Sequence, residues 1–483
     1  MEKTKEVPYW PMMSAIFLGS FLVSLGTSTI NLALPFLMKS FNTNLDTVKW
    51  TLTGFMLAMG TMAPITAYLG ERFSYKRIYL VSIIGFITAS ILCILSTSIT
   101  FLVISRIIQG AFSGMIVPAT MAIIYQAVPK ERQVSATSLW SMASMFAPAI
   151  GPTLSGFLIQ YFSWQAIFVI NIPIGLIILV LGIKYIPYFK LNVPEFFDSK
   201  GFIAIVIGSL GLLIAFSEGE TLGWTSLTIV ASLVVGILAL AIFVYRALTT
   251  TSPILDITVF KYKKYSFSVV VYGIVMMSLY AGTLLIPLFL QNIQHLSALD
   301  AGIVMLPASL CMALAMPLVG KLYNKLNPRI IIMFGIILVA IGSFAMARLS
   351  TNTSKTFVML WMIVRNVGIS FCTMPVTYSG MSVLPKSISG HGSSVNNWLA
   401  RLVSSLSMAI FASLLTARAS MHVTSLIKSG TKQTIAQGSG YVMGINDVFF
   451  ISFVIILIAV PFSYFLNGKN NKTNNDKITE KAS

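Results

Sequence analysis

Fourteen apolar stretches follow one another along the chain, at about 11–34, 48–69, 78–96, 101–126, 135–159, 166–187, 201–217, 226–246, 267–290, 301–320, 330–348, 356–379, 392–416 and 446–466. Each is close to the roughly 20 residues a helix needs to cross the hydrocarbon of a bilayer. Lipid offers no hydrogen bonds, so a spanning segment is either a helix or a strand of a closed barrel. Barrel strands need only about 9–11 residues, and runs twice that length exclude them. The chain is therefore expected to be an all-α polytopic membrane protein with 14 transmembrane helices. Composition agrees: 56% of residues are hydrophobic and 10% charged, where a soluble domain is about half apolar and a quarter charged. A soluble enzyme, a disordered chain and a lipid-tethered domain are all excluded.

The net charge of +18 would suggest a nucleic-acid partner in a soluble protein. Position gives a different answer. With the N-terminus inside, 22 of the 32 Lys and Arg residues fall on cytoplasmic segments, seven on outer segments and three within spans. That asymmetry is the inside-positive signature of a multi-pass protein, and an even span count places both termini in the cytoplasm. Nucleic acid is not an expected partner; the lipid bilayer is. Lys3 and Lys5 before the first run resemble a signal peptide, but the run is too long and no small-residue cleavage site follows. It is read as a retained first span. Cys93, Cys311 and Cys372 all lie in apolar runs, so neither a disulfide framework nor a metal site is expected.

The chain also echoes itself. Ala67-Tyr-Leu-Gly-Glu-Arg-Phe-Ser-Tyr-Lys76 follows the second span and Gly320-Lys-Leu-Tyr-Asn-Lys-Leu-Asn-Pro-Arg329 follows the tenth, 253 positions later. Each has a small residue, Leu two later and a basic residue three after that. Arg106 in the fourth span has a rough counterpart in Arg365 of the twelfth. Parallel repeats of this kind occur in transporters that handle substrate between two halves. The expected organisation is a six-span bundle over 1–200, two additional spans over 201–246, and a second six-span bundle over 247–483 with a short cytoplasmic tail.

Several segments together resemble one family. Leu25-Gly-Thr-Ser-Thr-Ile-Asn-Leu-Ala-Leu-Pro35 is similar to its first-span motif, and the 67–77 loop to its G-x-L-a-D-r-x-G-r-k motif, with Ala67, Glu71 and Ser74 replacing Gly, Asp and the second Gly. Arg106-Ile-Ile-Gln-Gly110 with Pro118 looks like the fourth-span R-x-x-q-G motif. Ala147-Pro-Ala-Ile-Gly-Pro-Thr-Leu-Ser-Gly156 is similar to the fifth-span antiport motif, with Ala147 and Ser155 replacing two glycines. Phe168-Val-Ile-Asn-Ile-Pro-Ile-Gly175 and Asn396-Asn-Trp-Leu-Ala-Arg401 follow in the same manner. The chain thus resembles the fourteen-span drug:proton antiporters of the major facilitator superfamily, of the EmrB/QacA type. That resemblance implies a major facilitator fold and secondary active efflux of amphipathic compounds by proton antiport through alternating access. It also implies a location in the cell membrane. An alternative is an exporter of an endogenous neutral or anionic metabolite or lipid. A monomer is expected, with a small-molecule substrate and protons as partners. No nucleotide-binding loop is present, so the expected energy source is a proton gradient rather than a bound cofactor.

The residues that could do this work fall into groups. Leu69, Glu71, Arg72, Lys76 and Arg77 form a gating loop in the resemblance, although a short basic loop also serves topology alone. Pro148, Gly151, Pro152 and Gly156 are candidate antiport hinge residues, because proline kinks a helix and glycine permits close crossing; a static tight crossing fits equally. Arg106, Gln109, Gly110, Arg365 and Arg401 are candidates for transport and coupling. An arginine inside a span costs on the order of 2.5–3.5 kcal/mol on insertion scales and normally faces a cavity, unless it snorkels or pairs structurally. Asn31, Asn171, Gln291, Asn366, Asn396 and Asn397 are candidates to line that cavity.

Acidic partners are scarce. None of the fourteen carboxylates lies deep in an expected span, and Gly26 stands where the family's first-span motif usually carries an acid. Asp300 and Asp447 begin spans at the outer face and are the proton-carrier candidates. They also suit a plain helix-dipole role.

Overall fold

The computed structural model describes residues 8–43, 45–189 and 196–466, which contain helices and no strand. In chain order the helices are α1 (Tyr9–Ser28), α2 (Ile30–Phe41), α3 (Leu45–Met62), α4 (Ile65–Phe73), α5 (Tyr75–Ile94), α6 (Ile99–Ala127), α7 (Lys130–Tyr161), α8 (Ala166–Val169) and α9 (Asn171–Tyr185). They continue as α10 (Ser199–Leu222), α11 (Leu227–Thr249), α12 (Lys263–Leu288), α13 (Ala298–Tyr323), α14 (Pro328–Met346), α15 (Lys355–Met381), α16 (Ser389–Lys428) and α17 (Gln433–Ser463).

Among the described residues, twelve helical segments are long and apolar enough to cross a membrane, and thirteen if α3 and α4, bent by 55° at their break, form one span. The stretch expected at 135–159 forms α7, which at 32 residues is long enough to cross a bilayer. Ser138 and Ser144 satisfy themselves by donating to the Val134 and Trp140 carbonyls one turn back. Packing against α1 and α13 spares the helix from meeting lipid on those sides.

Two breaks interrupt expected spans. The first run divides at Thr29, where Thr27, Ser28 and Thr29 donate to the Ser24 and Leu25 carbonyls. Such back-bonding competes with the helix ladder. The second run divides at Ala63–Pro64, as expected where proline removes a backbone donor. The span expected at 392–416 lies within a much longer helix, the 40-residue α16.

Helices α1 to α9 pack mainly with one another, as do α12 to α17. Contacts between the two groups run chiefly through α7 with α13 and through α16 with α3, α4 and α6. Helices α10 and α11 pair side by side, and α10 also leans on α3 and α16. Asp198 ties their ends at the basic face: it caps α10 by accepting from the Gly201 amide at 3.0 Å and receives Arg246 Nη2 at 2.6 Å.

The α3–α6 crossing is the tightest near the fourth-span motif. A Cβ at Gly110 would strike the Phe55 carbonyl oxygen, and one at Gly114 the Met59 carbonyl oxygen. Small residues four apart thus let two backbones meet. Gly114→Val should separate these helices and lower stability by about 1–3 kcal/mol, the usual cost of overpacking. A thermal midpoint equal to wild type in purified protein would disprove the contact.

Candidate functional site

Arg106 is fully buried in α6. Its Nε donates to the Thr51 carbonyl at 3.0 Å, Nη2 to the Gly26 carbonyl at 3.1 Å and Nη1 to Gln109 Oε1 at 2.6 Å. The guanidinium carbon also lies 4.0 Å from the Phe55 ring centroid. Gln109 passes the network on by donating to Ser90 Oγ at 2.7 Å, which also receives Asn171 at 3.4 Å. Helices α1, α3, α5, α6 and α9 are thereby pinned around one guanidinium without any carboxylate.

Arg365 occupies the matching place in α15. It donates to Ser343 Oγ of α14 at 3.2 Å, to the Ser278 carbonyl of α12, and to Ser278 Oγ at 3.3 Å. Gly282 and Gly342 lack side chains where a Cβ would collide with this arginine. Arg106 and Arg365 each fasten a fourth helix to the first helix of its own group. The expectation that both face a central cavity is corrected: backbone carbonyls and side-chain oxygens inside each group engage them, all three nitrogens of Arg106 and the Nε and Nη2 of Arg365. Asn366 and Asn171 are likewise buried, and Gln291 is exposed just beyond the end of α12.

Arg401 differs. It lies on α16 facing α3 and α6, at a narrow, half-open cleft. Met59 and Ala63 border the cleft from α3, Ser113, Gly114, Val117 and Pro118 from α6, and Asn397 from α16. The Arg401 stem runs past Gly60 of α3, where a Cβ would come into ordinary contact with it and would crowd Leu213 of α10. Among the described residues no hydrogen bond or ion pair engages the guanidinium.

At the basic face, a set of bonds joins the two helix groups below this cleft. Glu71 of α4 lies 2.9 Å from His391 Nε2 at the start of α16. His391 Nδ1 accepts the Asp256 backbone N–H at 3.0 Å, so the proton of the neutral ring sits on Nε2 and points at the carboxylate. Ser393 donates to the Pro118 carbonyl at 2.9 Å, and Lys386 to the Gln126 carbonyl at 3.3 Å. Tyr125 and Tyr378 stack across the same boundary at 6.4 Å. Asn396 accepts from Tyr265 within the second group at 3.1 Å.

The other gating-loop residues stay within the first group. Arg72 donates to Tyr68 Oη at 3.1 Å, Lys76 to the Ile183 carbonyl at 2.7 Å, and Arg77 covers the Tyr188 ring. Leu69 is half-buried on α4. The turn between α4 and α5 passes through Ser74 at φ +77°, a conformation that favours glycine.

The family model described as Major Facilitator Superfamily matches residues 16–409 of this chain. The chain belongs to the Major Facilitator Superfamily. It is 30% identical to the uncharacterized MFS-type transporter YhcA of Bacillus subtilis over 88% of this chain and 80% of that one. It is 28% identical to the lincomycin resistance protein LmrB of Listeria innocua, covering 94% and 96% of the two chains. Identity to the multidrug export protein EmrB of Haemophilus influenzae is also 28%, over 93% and 94%. Among solved structures, the human organic anion transporter MFSD10 superposes with a TM-score of 0.64 at 12% identity, covering 93% of this chain and 99% of that one. At that identity the likeness concerns the fold.

Within the superfamily framework, the substitution at Gly26 acquires a structural meaning. At Gly26, which carries no side chain where an acid was expected, the backbone carbonyl accepts from Arg106. Ser74 replaces the second glycine of the loop motif and carries that position's positive φ. The fifth-span motif lies in α7, which remains helical through positions 148–156. Gly151 admits Ser28 of α1, where a Cβ would meet the hydroxyl. Gly156 is half-buried, and the side chains of Asn31, Pro148 and Pro152 lie outside the described residues. The hinge expectation at this motif thus meets a close, continuous crossing, and the breaks lie at Thr29 and Ala63–Pro64.

Neither acidic candidate stands in the cleft. Asp300 is exposed in the first turn of α13, where Ser297 caps the helix by accepting the Asp300 amide at 3.1 Å and donates its hydroxyl to Asp300 Oδ2 at 2.7 Å. Asp447 pairs with His422 at 2.9 Å and Arg418 at 3.9 Å across α16 and α17. Among the described residues no group of three or more His, Cys, Asp or Glu side chains is placed to hold a metal. Sequence reasoning passed over His391, whose partner lies 320 positions away. Its one signal was a lone ionisable ring in the first turn of a span.

Proposed function

We propose that this chain is a secondary active exporter of amphipathic small molecules, working by alternating access and driven by inward proton flow. In this reading it acts as a monomer in the cell membrane, with both termini and the basic face in the cytoplasm. The observation that carries the proposal is a cleft between two helix groups bonded together below it by Glu71–His391, Ser393–Pro118 and Lys386–Gln126. Breaking that set while closing the far side would move the cleft from one face of the membrane to the other. The names of LmrB and EmrB as resistance and export proteins support drug-like substrates for this chain as well. The proton gradient supplies the energy in this reading, and no bound cofactor is involved.

A second reading, export of an endogenous neutral or anionic compound, draws support from the cleft's lining, in which no carboxylate stands among the described residues. The test is flux in proteoliposomes under an imposed pH gradient, with a substrate panel spanning cationic, neutral and anionic amphipaths. Gradient-dependent, uncoupler-sensitive accumulation is the expected result. Flux indifferent to both would disprove proton antiport.

A further inference from the structure

An arginine inside a membrane protein normally recovers its lost hydration from acceptors or from water in a cavity. Arg106 and Arg365 find theirs in carbonyls and hydroxyls. Arg401 finds none among the described residues. The described acids have partners or places of their own. Glu71 pairs with His391, Asp198 with Arg246 and Asp447 with His422. Asp256 caps its own turn, Asp300 accepts from the Ser297 hydroxyl, and Glu131 and Glu218 stand near the ends of α7 and α10.

A second observation comes from the opposite wall. The hydroxyl of Ser113 is fully buried and has no hydrogen-bond partner, yet Ser113 borders the same cleft as Arg401. A buried polar atom without a partner is uncommon and calls for one. Asn397 commits one amide hydrogen to the Ser393 carbonyl at 2.9 Å and keeps the other. Each polar side chain around the cleft can therefore donate, and the guanidinium, which carries the only charge among the lining residues, can do nothing else, while Met59, Ala63 and Val117 supply an apolar wall.

We propose that Arg401, Ser113 and Asn397 form the head-group site of this cleft, and that it selects amphipathic substrates carrying a single negative charge. The proposal rests on the export reading above and adds the charge of the cargo. A planar guanidinium binds carboxylate through paired hydrogen bonds, and the Ser113 hydroxyl can rotate to donate a further one. A cationic head in the same place would face an uncompensated like charge, which disfavours it.

The test uses full-length protein in nanodiscs of zwitterionic lipid and three ligands that share a ten-carbon tail. Decanoate, 1-decanol and decyltrimethylammonium are titrated by calorimetry, with empty discs subtracted. Decanoate should bind tightest, by about tenfold or more, the margin expected of a charge-assisted bond in a partly dry site. Arg401→Gln should erase that margin and leave decanol binding unchanged, which also certifies the fold. Arg401→Lys should retain part of it, and Ser113→Ala should weaken decanoate several-fold. Equal affinity for all three heads, or a margin that survives Arg401→Gln, overturns the assignment. An anionic lipid that abolishes decanoate binding when added to the discs would assign the site to a lipid head group and overturn the substrate reading. Vesicles that export the cation but not decanoate overturn the charge selection alone; vesicles that export no amphipath of any charge overturn the export reading with it.

Discussion

Arg106→Met should leave the chain poorly folded while Arg401→Gln leaves it intact, although sequence alone ranks the two arginines together. Arg106 supplies three hydrogen bonds that join α1, α3 and Gln109, and bonds to a charged donor contribute about 1.5–3 kcal/mol each. Relief from burying a charge offsets part of the loss. A net destabilisation of about 2–4 kcal/mol is expected, near the upper end of single-substitution effects. Lysine will not rescue, because one ammonium cannot reach acceptors spread around a planar fork. The measurement is the thermal midpoint of detergent-purified variants alongside their yield from membranes. An Arg106→Met midpoint equal to wild type would remove the arginine from the scaffold. Arg365→Met should behave similarly, since its bonds to Ser278 and Ser343 tie α15 to α12 and α14.

Glu71→Ala should reduce transport by about tenfold or more while sparing the fold. The Glu71–His391 bond lies between helix groups, so its loss biases the equilibrium between the two faces rather than either group's packing. A bias of about 1.4 kcal/mol shifts such an equilibrium tenfold, and one largely buried, charge-assisted bond is of that size. His391→Ala should do the same, and the double substitution should be no worse than either single one, the signature of a coupled pair. In a cysteine-free background, Asn397→Cys reports opening: an impermeant thiol reagent applied from the basic face should label it faster once Glu71 is replaced. Unchanged labelling, or additive losses in the double variant, would show that the pair is not a latch.

How much of this was legible beforehand varies with the physics involved. Most spans were readable because lipid imposes length and apolarity on each helix separately. The hydroxyl-rich α7 was readable in the same way, as the run at 135–159. The matching positions of Arg106 and Arg365 were visible as an echo. Their burial was not, because a polar residue in an apolar span looks the same whether it faces water or another helix's carbonyls. Deciding between those needs the partners: Gly26, Thr51, Ser278 and Ser343 are ordinary residues that carry no mark of acceptance. Glu71 stood out through its motif, whereas His391 offered only a type and a place. Gly26 was read as a missing acid, and the carbonyl that accepts from Arg106 there is invisible to any reading of side chains.

Helix α7 has one more consequence, for how the chain is made. An emerging segment enters the bilayer from the translocation machinery according to its own apolarity, and α7 carries hydroxyls at Ser135, Thr137, Ser138, Ser141 and Ser144 in its first half. Its second half, from Met142 to Ile159, carries no charged residue and supplies the apolarity that holds the helix in lipid. Its neighbour α1 is already in place when it is synthesised, whereas α13, on its other side, is made some 140 residues later. The Ser138 side of α7, which Gly320 of α13 admits, therefore waits for its neighbour until the second helix group is made.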